Sequence, residues 1–432
     1  MTLHYIELLG AGLVLAWLVL LVGRWPSLGW ALVAAFVILA DALPQTPSIV
    51  SVGGLTVYPE DVATLVFGTV AVHRAGKLRS ALAGLDLAVA VTALLLVSLL
   101  WGVATIGTGP AVNEFRQTAL LVVLGAWILS QVGDASLEKT VQRFVMWTAW
   151  VLTGVAAWHV MTRGLGNADL RVLNAQNMLV TTRPLVSGQA AFVATAALAA
   201  IVEGERRRKK FFAGQAAVFL AVVAVCQHRS VWLAAIAGLL MLILVGDTRV
   251  RVKLLAGSVI AFVGTMMLYL AGTLNGVLHA AEIAVTSTGT YGDRLFGWTS
   301  LINSSFASGP LTVIAGRPFG SGVARISGTG ILETFATHNW YVTLYLRIGL
   351  VGILLVVLLI FGSLVRCVRE RRMLLAAWLM TTIVFAWPYN LPWYFGVFLI
   401  LPMVHWQRVA EQQQESGAVS LTFLTGQSAG TR

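Results

Sequence analysis

The chain has 432 residues, of which 58% are hydrophobic and only 11% charged, and its mean hydropathy is +0.84. A soluble domain carries about 25% charged residues, so this composition excludes an ordinary water-soluble enzyme and leaves an integral membrane protein. The formal net charge of +11 raises nucleic acid as a partner, but the basic residues are distributed as a topology signal, so no nucleic-acid partner is expected.

Runs such as 85–103, charged only at Asp86, and the uncharged 213–225 and 351–365 approach the roughly 20 apolar residues that cross a bilayer. With no water in the bilayer core, only helices or closed barrels satisfy the backbone there, and these runs are too long for barrel strands. The expected fold is therefore all-α, a polytopic transmembrane helical bundle. In chain order, spans are expected at about 5–22, 27–43, 60–74, 84–103, 116–133, 140–162, 184–203, 211–227, 229–246, 252–271, 338–365, 373–388 and 391–407. That makes 12–13 crossings, with 27–43, 60–74 and 373–388 the shortest. The first segment lacks a basic leader and a small-x-small cleavage site, so it reads as a retained helix. Three further divisions follow: membrane helices over 1–271, one large polar loop over 272–337, and C-terminal helices over 338–410. The tail from 411 to 432 is Gln/Ser/Gly-rich and reads as disordered.

The densest basic loops are Arg206–Lys210, Arg366–Arg372, Arg249–Lys253 and Arg74–Arg79. All fall on one side of this topology, which the positive-inside rule makes cytoplasmic. Every lysine also falls there. The outer or embedded basic residues are all arginine: Arg116, Arg163, Arg171, Arg183, Arg229, Arg294, Arg317, Arg325 and Arg347. Arginine presents a rigid fork that grips phosphate or carboxylate bidentately. A genome rich in G and C would favour arginine everywhere and explains part of this bias. It does not explain Arg229, squeezed between two apolar spans, or Arg347, well inside the helix that starts at His338. An embedded ionisable residue is a functional candidate by default. The competing reading is snorkelling, or pairing with an acid such as Glu333.

The large loop carries Arg294, Arg317, Arg325 and, at its end, His338–Asn339. Tyr291–Trp298 reads as the start of an amphipathic helix that puts Arg294 and Trp298, four apart, on one face. Gly316–Arg317–Pro318–Phe319–Gly320–Ser321–Gly322 reads as a turn that lets backbone approach a ligand. Two arginines and one histidine at the outer ends of spans suit a diphosphate-bearing substrate that needs a proton removed. The plain alternative for His338 is an interfacial residue beginning a helix. No Asp-x-Asp, phosphate loop, Ser-His-Asp order or Cys/His zinc spacing is present, so neither a metal nor another cofactor is expected. Cys226 and Cys367 fall at opposite faces and are not expected to pair.

With these pieces in this order, the chain resembles the O-antigen ligase and polymerase superfamily of bacterial inner membranes. The pieces are His228–Arg229–Ser230–Val231–Trp232, Arg294 with Trp298, Pro318–Gly322, and His338–Asn339 followed by Gly349–Gly352. Leu55–Asp61 is similar to the family's early segment. The resemblance implies a multi-pass inner-membrane glycosyltransferase with its large loop and site in the periplasm. It implies transfer of a glycan from undecaprenyl diphosphate to an acceptor hydroxyl, on lipid A–core or on a growing glycan, without metal. His338 would be the general base, Arg229 and Arg294 the diphosphate-binding residues. Arg317, Arg325, Arg347, Asn339 and Trp298 are further substrate-binding candidates. The ligase label is preferred to the polymerase label, and a flippase for lipid-linked sugar is the alternative outside enzymes. In family ligases an acid often precedes Gly-Leu-x-Gly; here Arg347 stands two residues ahead of Gly349.

Overall fold

The computed structural model describes residues 2–40, 50–52, 55–82, 85–133, 137–165, 171–173, 179–270, 289–326, 332–334 and 337–404. Helix dominates these residues. The helices are α1 (Thr2–Arg24), α2 (Pro26–Ile38), α3 (Pro59–His73), α4 (Ala75–Leu82), α5 (Asp86–Thr105), α6 (Thr108–Leu129), α7 (Leu137–Arg163), α8 (Ser187–Arg207), α9 (Lys210–Val225), α10 (Arg229–Val245) and α11 (Thr248–Leu270). After them come α12 (Gly289–Ala307), α13 (Pro310–Ala315), α14 (Trp340–Arg369), α15 (Met373–Ala386) and the short α16 (Gly396–Ile400), which is flanked by single 3-10 turns. Three antiparallel hairpins of three-residue strands interrupt them: Val50–Val52 with Leu55–Val57, Arg171–Leu173 with Leu179–Thr181, and Ala324–Ile326 with Leu332–Thr334.

Among the described residues five helices, α5, α6, α7, α8 and α14, are long and apolar enough to cross a membrane. Counting α1 and α2 as one broken span, bent by 115° at their junction, adds a sixth. Pro26 at the first position of α2 lacks the N–H that would continue α1, so the chain turns there. The helices at 210–225, 229–245 and 373–386 and the segment 393–403 are apolar but shorter. At 1.5 Å per residue they span less than the roughly 30 Å hydrocarbon core. The architecture is thus that of a multi-pass helical membrane protein, with fewer full-length spans among the described residues than the hydropathy pattern marks over the whole chain. The region 411–432 lies outside the described residues, as does 271–288 of the large loop.

The core is built around α8, whose alanines allow close approach from every side. Ala190, Ala191, Ala194, Ala196, Ala197, Ala199 and Ala200 are fully buried, and α7, α9, α10 and α15 all pack on this helix. The same small-residue logic joins α10 to α15, where a Cβ on Gly238 would come within 2.3 Å of Thr381 Oγ1. Trp378 Nε1 donates to Thr195 O at 2.9 Å, so a buried indole does not leave its donor unmet. Both cysteines are buried and free.

α14 is not continuous. Gly349 (φ 62°, ψ −166°) breaks it just after Arg347. The break lets α13 lie against the helix backbone: a Cβ at Gly349 would sit 2.1 Å from Ile314 O. Gly349→Ala therefore meets both a backbone collision and a left-handed conformation, and it is expected to lower Tm. Gly362→Ala, on the same helix with nothing within 4 Å of the added carbon, is expected to leave Tm unchanged or raise it. Thermal unfolding in detergent compares the two.

Candidate functional site

The polar groups gather where α12 and the starts of α10 and α14 meet the turn between α15 and the C-terminal segment. That turn, Trp387–Pro392, is the hub. Arg294 donates from Nη1 to Pro388 O at 3.0 Å, and its guanidinium lies 5.0 Å from the Tyr389 ring centroid. Trp298, one turn further along α12, donates Nε1–H to Thr337 O at 2.7 Å and packs edge-on against Trp387 at 6.1 Å. The i, i+4 pairing expected of Arg294 and Trp298 is therefore realised, with both side chains turned to the hub. Trp340 N donates to Tyr389 O at 3.2 Å, which ties the start of α14 to the same turn.

His338 lies between two anchored neighbours. Thr337 is buried, and its Oγ1 lies 2.9 Å from Asn390 Oδ1 and in hydrogen-bond contact with Thr343 Oγ1. Asn339 is buried and caps α14, its Oδ1 accepting from Val342 N at 3.0 Å. Between them His338 is half-buried and adopts φ 48°. A left-handed histidine costs on the order of 1–3 kcal/mol unless its surroundings impose it. Here the surroundings do so through two buried side chains. Helix 340–369 thus begins after His338, with Asn339 as its cap, and the histidine is held outside the helix.

Arg229 opens α10 and is half-buried. Its neighbour His228 is the better-defined group, and sequence reasoning missed it. The ring sits at the cap of α10, with Nε2 2.9 Å from Leu185 O and Nδ1 2.7 Å from Arg183 Nη1. The carbonyl can only accept, so Nε2 carries the proton and Nδ1 accepts from the guanidinium. Burial, then the charges of Arg183 and Arg294, push the imidazole pKa down to about 3. A Cβ on Gly188, at the start of α8, would lie 3.0 Å from Pro392 Cγ, and His228 holds Leu185 just before it, so the α9–α10 turn lies beside the hub. Unfolded chains bind a proton here below about pH 6.5 and the folded chain does not. Stability should therefore fall as pH drops from about 6.5 towards 3, by up to about 1.4 kcal/mol per pH unit. His228→Gln should flatten that slope in a pH series of unfolding midpoints.

Arg347 is also embedded, but its bonds are made within the protein. It is 2% exposed and pairs with Glu114 of α6; the side chain of Glu333 lies outside those described. It further donates to Pro318 O at 3.0 Å, Ser321 Oγ at 2.5 Å and Gly322 O at 3.0 Å, with the Phe319 ring 5.6 Å away. Glu114 Oε2 also accepts from Gly320 N at 2.6 Å. Arg347 and Glu114 thus hold the Gly-Arg-Pro-Phe-Gly-Ser-Gly turn from both sides. The turn's glycines are sterically required. A Cβ would lie 2.5 Å from the Arg347 carbonyl carbon at Gly316 and 2.8 Å from Ala111 N at Gly320, and both have positive φ. Arg317 is directed to Ser304 and Ser308 at 3.1 and 2.9 Å. Arg325 stands opposite Glu333 in the backbone register of its hairpin, and its side chain lies outside those described. Asp61 does helix-end work: it accepts from Tyr58 N at 2.8 Å and from Arg116 Nε at 2.7 Å.

A cavity of about 1000 Å³ opens beside the hub. Thr337, Trp340, Thr343, Asn390, Asn113, Glu114, Gln117 and Gly320 line one end. Leucine, valine and isoleucine from α5, α6 and α14 line the remainder, as far as Ile360 and Met403. Thr343 to Ile360 on α14 spans about 25 Å at 1.5 Å per residue, most of a bilayer core. The cavity is therefore a long apolar slot with a polar mouth. Among the described residues no group of three or more His, Cys, Asp and Glu could hold a metal. No family model and no curated protein matches the chain.

Proposed function

We propose that the protein transfers a glycan from undecaprenyl diphosphate to a saccharide hydroxyl, in the manner of an O-antigen ligase acting on the periplasmic side of a bacterial inner membrane. The observation that carries this reading is the convergence at the hub. Arg294, bonded to the hub turn, and a held His338 adjoin Thr337, Trp340 and Asn390, which line the polar end of an apolar slot long enough for a polyprenyl tail. Such a slot and such cations match a lipid whose head is a diphosphate.

In the proposed step the acceptor oxygen forms a bond to the anomeric carbon from the face opposite the diphosphate. The bond from that carbon to the diphosphate oxygen breaks, and its electron pair leaves on undecaprenyl diphosphate. His338 takes the hydroxyl proton, and the configuration inverts. Arg229 and Arg294 stabilise the charge that grows on the leaving oxygen. They supply in fixed positions the positive charge that a metal supplies in other diphosphate enzymes. Asn339 and Trp298 act by fixing the backbone around His338. Arg347 and Arg317 act by fixing the turn at the cavity mouth, a positioning role. Acceptor choice separates a ligase, which uses lipid A–core, from a polymerase, which uses a growing glycan at the same site.

The test is steady-state transfer in proteoliposomes with undecaprenyl-diphosphate-linked glycan as donor. Arg294→Gln and Arg229→Gln are expected to cost about 1.5–3 kcal/mol each in kcat/KM, about 10–150-fold, and wild-type turnover should persist in EDTA. Wild-type rates in both variants would sink the assignment of these arginines.

A further inference from the structure

We infer that the protein carries an anionic phospholipid site at the opposite membrane face, between α7, α8 and α9. It is separate from the proposed transfer site and does not depend on it. A cavity of about 520 Å³ lies there. Its charged rim is Lys139 and Arg143 at the start of α7 and Arg206 and Arg207 at the end of α8. Its deeper wall is aromatic, with Trp147 and Trp150 further along α7 and Phe211 and Phe212 opening α9. Lys139, Arg143, Trp147 and Trp150 follow helical spacing, so one stripe of α7 passes from cation to indole within about three turns. That order, charge outside and aromatic ring inside, is the order of a phospholipid at an interface, phosphate above and acyl chain below.

The charge balance of the cavity favours an anion. Its one acid, Glu203, is buried and already held by Arg206, Arg207 and Gln142. Lys139 and Arg143 are exposed and make no ion pair among the described residues. Arg207 also stacks 5.6 Å from the Phe212 ring centroid, which holds it beside the opening. One polar atom inside is left unmet: Gln215 Oε1 is buried without a hydrogen-bond partner among the described residues. An acceptor in that place calls for a hydroxyl donor. A phosphodiester with a free glycerol hydroxyl supplies both needs, so the ligand class is a glycerol-headed anionic phospholipid such as phosphatidylglycerol or cardiolipin. The run Arg206–Lys210 makes this the face with the denser positive charge, the one that meets anionic headgroups.

Native mass spectrometry of the full-length protein, delipidated and then titrated, tests this. The probes are phosphatidylglycerol, phosphatidylethanolamine of the same chains, and glycerol 3-phosphate. Phosphatidylglycerol should be retained preferentially. Lys139→Ala/Arg143→Ala should weaken its retention by about 25-fold, about five-fold for each cation. Trp147→Ala should weaken it by a smaller factor, while Arg208→Ala, outside the cavity, should not. Equal retention of phosphatidylethanolamine, or undiminished retention by both cavity variants, would overturn the proposal. Equal competition by glycerol 3-phosphate would overturn its lipid part and leave a soluble-anion site. Both variants change exposed side chains, and their unfolding midpoints confirm that the fold is kept.

Discussion

Asparagine in place of His338 is expected to lower glycan transfer by about 10²–10⁴-fold, the usual contribution of a general base, with expression and Tm close to wild type. Asparagine is the informative replacement because of the backbone. His338 sits at φ 48°, where asparagine is tolerated and alanine is strained. His338→Ala would therefore mix a folding cost with a catalytic one. His338→Gly should fold well and be equally inactive. If the transfer rate survives in both, His338 is an anchored loop residue and nothing more. Donor KM should change little in these variants, because the diphosphate is held by the arginines. A large rise in KM with kcat intact would move His338 from proton transfer to binding.

The second large effect concerns stability. Arg347→Ala is expected to destabilise the protein by about 3–5 kcal/mol, since it leaves Glu114 with a lost partner in a site of low polarity. It also removes the donors to Pro318, Ser321 and Gly322 that hold the turn. Glu114→Gln should cost less, because the amide oxygen still accepts a hydrogen bond. The double replacement Arg347→Met/Glu114→Leu should recover much of the loss, as buried pairs replaced by apolar residues of similar volume often do. Unfolding midpoints of wild type, the two single replacements Arg347→Met and Glu114→Leu, and the double form a double-mutant cycle. Additive losses would show that the two residues do not act as a pair. Loss of transfer in any of them that tracks with Tm would identify Arg347 as a residue of the scaffold.

The membrane class was legible from composition because the bilayer demands long apolar helices and little else. The number of full spans was less legible. Hydropathy marks 27–43 and 373–388 as segments, but it does not register that α2 turns 115° from α1 or that α15 is only 14 residues long. The shared face of Arg294 and Trp298 and the helix start beside His338–Asn339 were legible because short-range spacing fixes local geometry. Arg347 stood out for its depth, with Glu333 named only as one example of an acid it could meet. Glu114, a lone carboxylate early in an apolar helix, was the signal that pointed to the partner it has. The hub at Trp387–Pro392 escaped because its contacts are made by backbone carbonyls, which any sequence carries. His228 escaped because Arg229 beside it carries the charge, while the ring's importance lies in its contacts with Leu185 and Arg183 from a distant part of the chain.

The most direct measurement of the proposed transfer is the release of undecaprenyl diphosphate by the purified protein in liposomes, supplied with undecaprenyl-diphosphate-linked glycan and with or without lipid A–core. A ligase working through this hub releases undecaprenyl diphosphate in step with a glycosylated acceptor, leaves an inverted anomeric linkage, and loses that release in His338→Asn. Movement of intact donor across the bilayer without release of undecaprenyl diphosphate would contradict it, and would make the slot and its cations the path of a lipid-linked sugar.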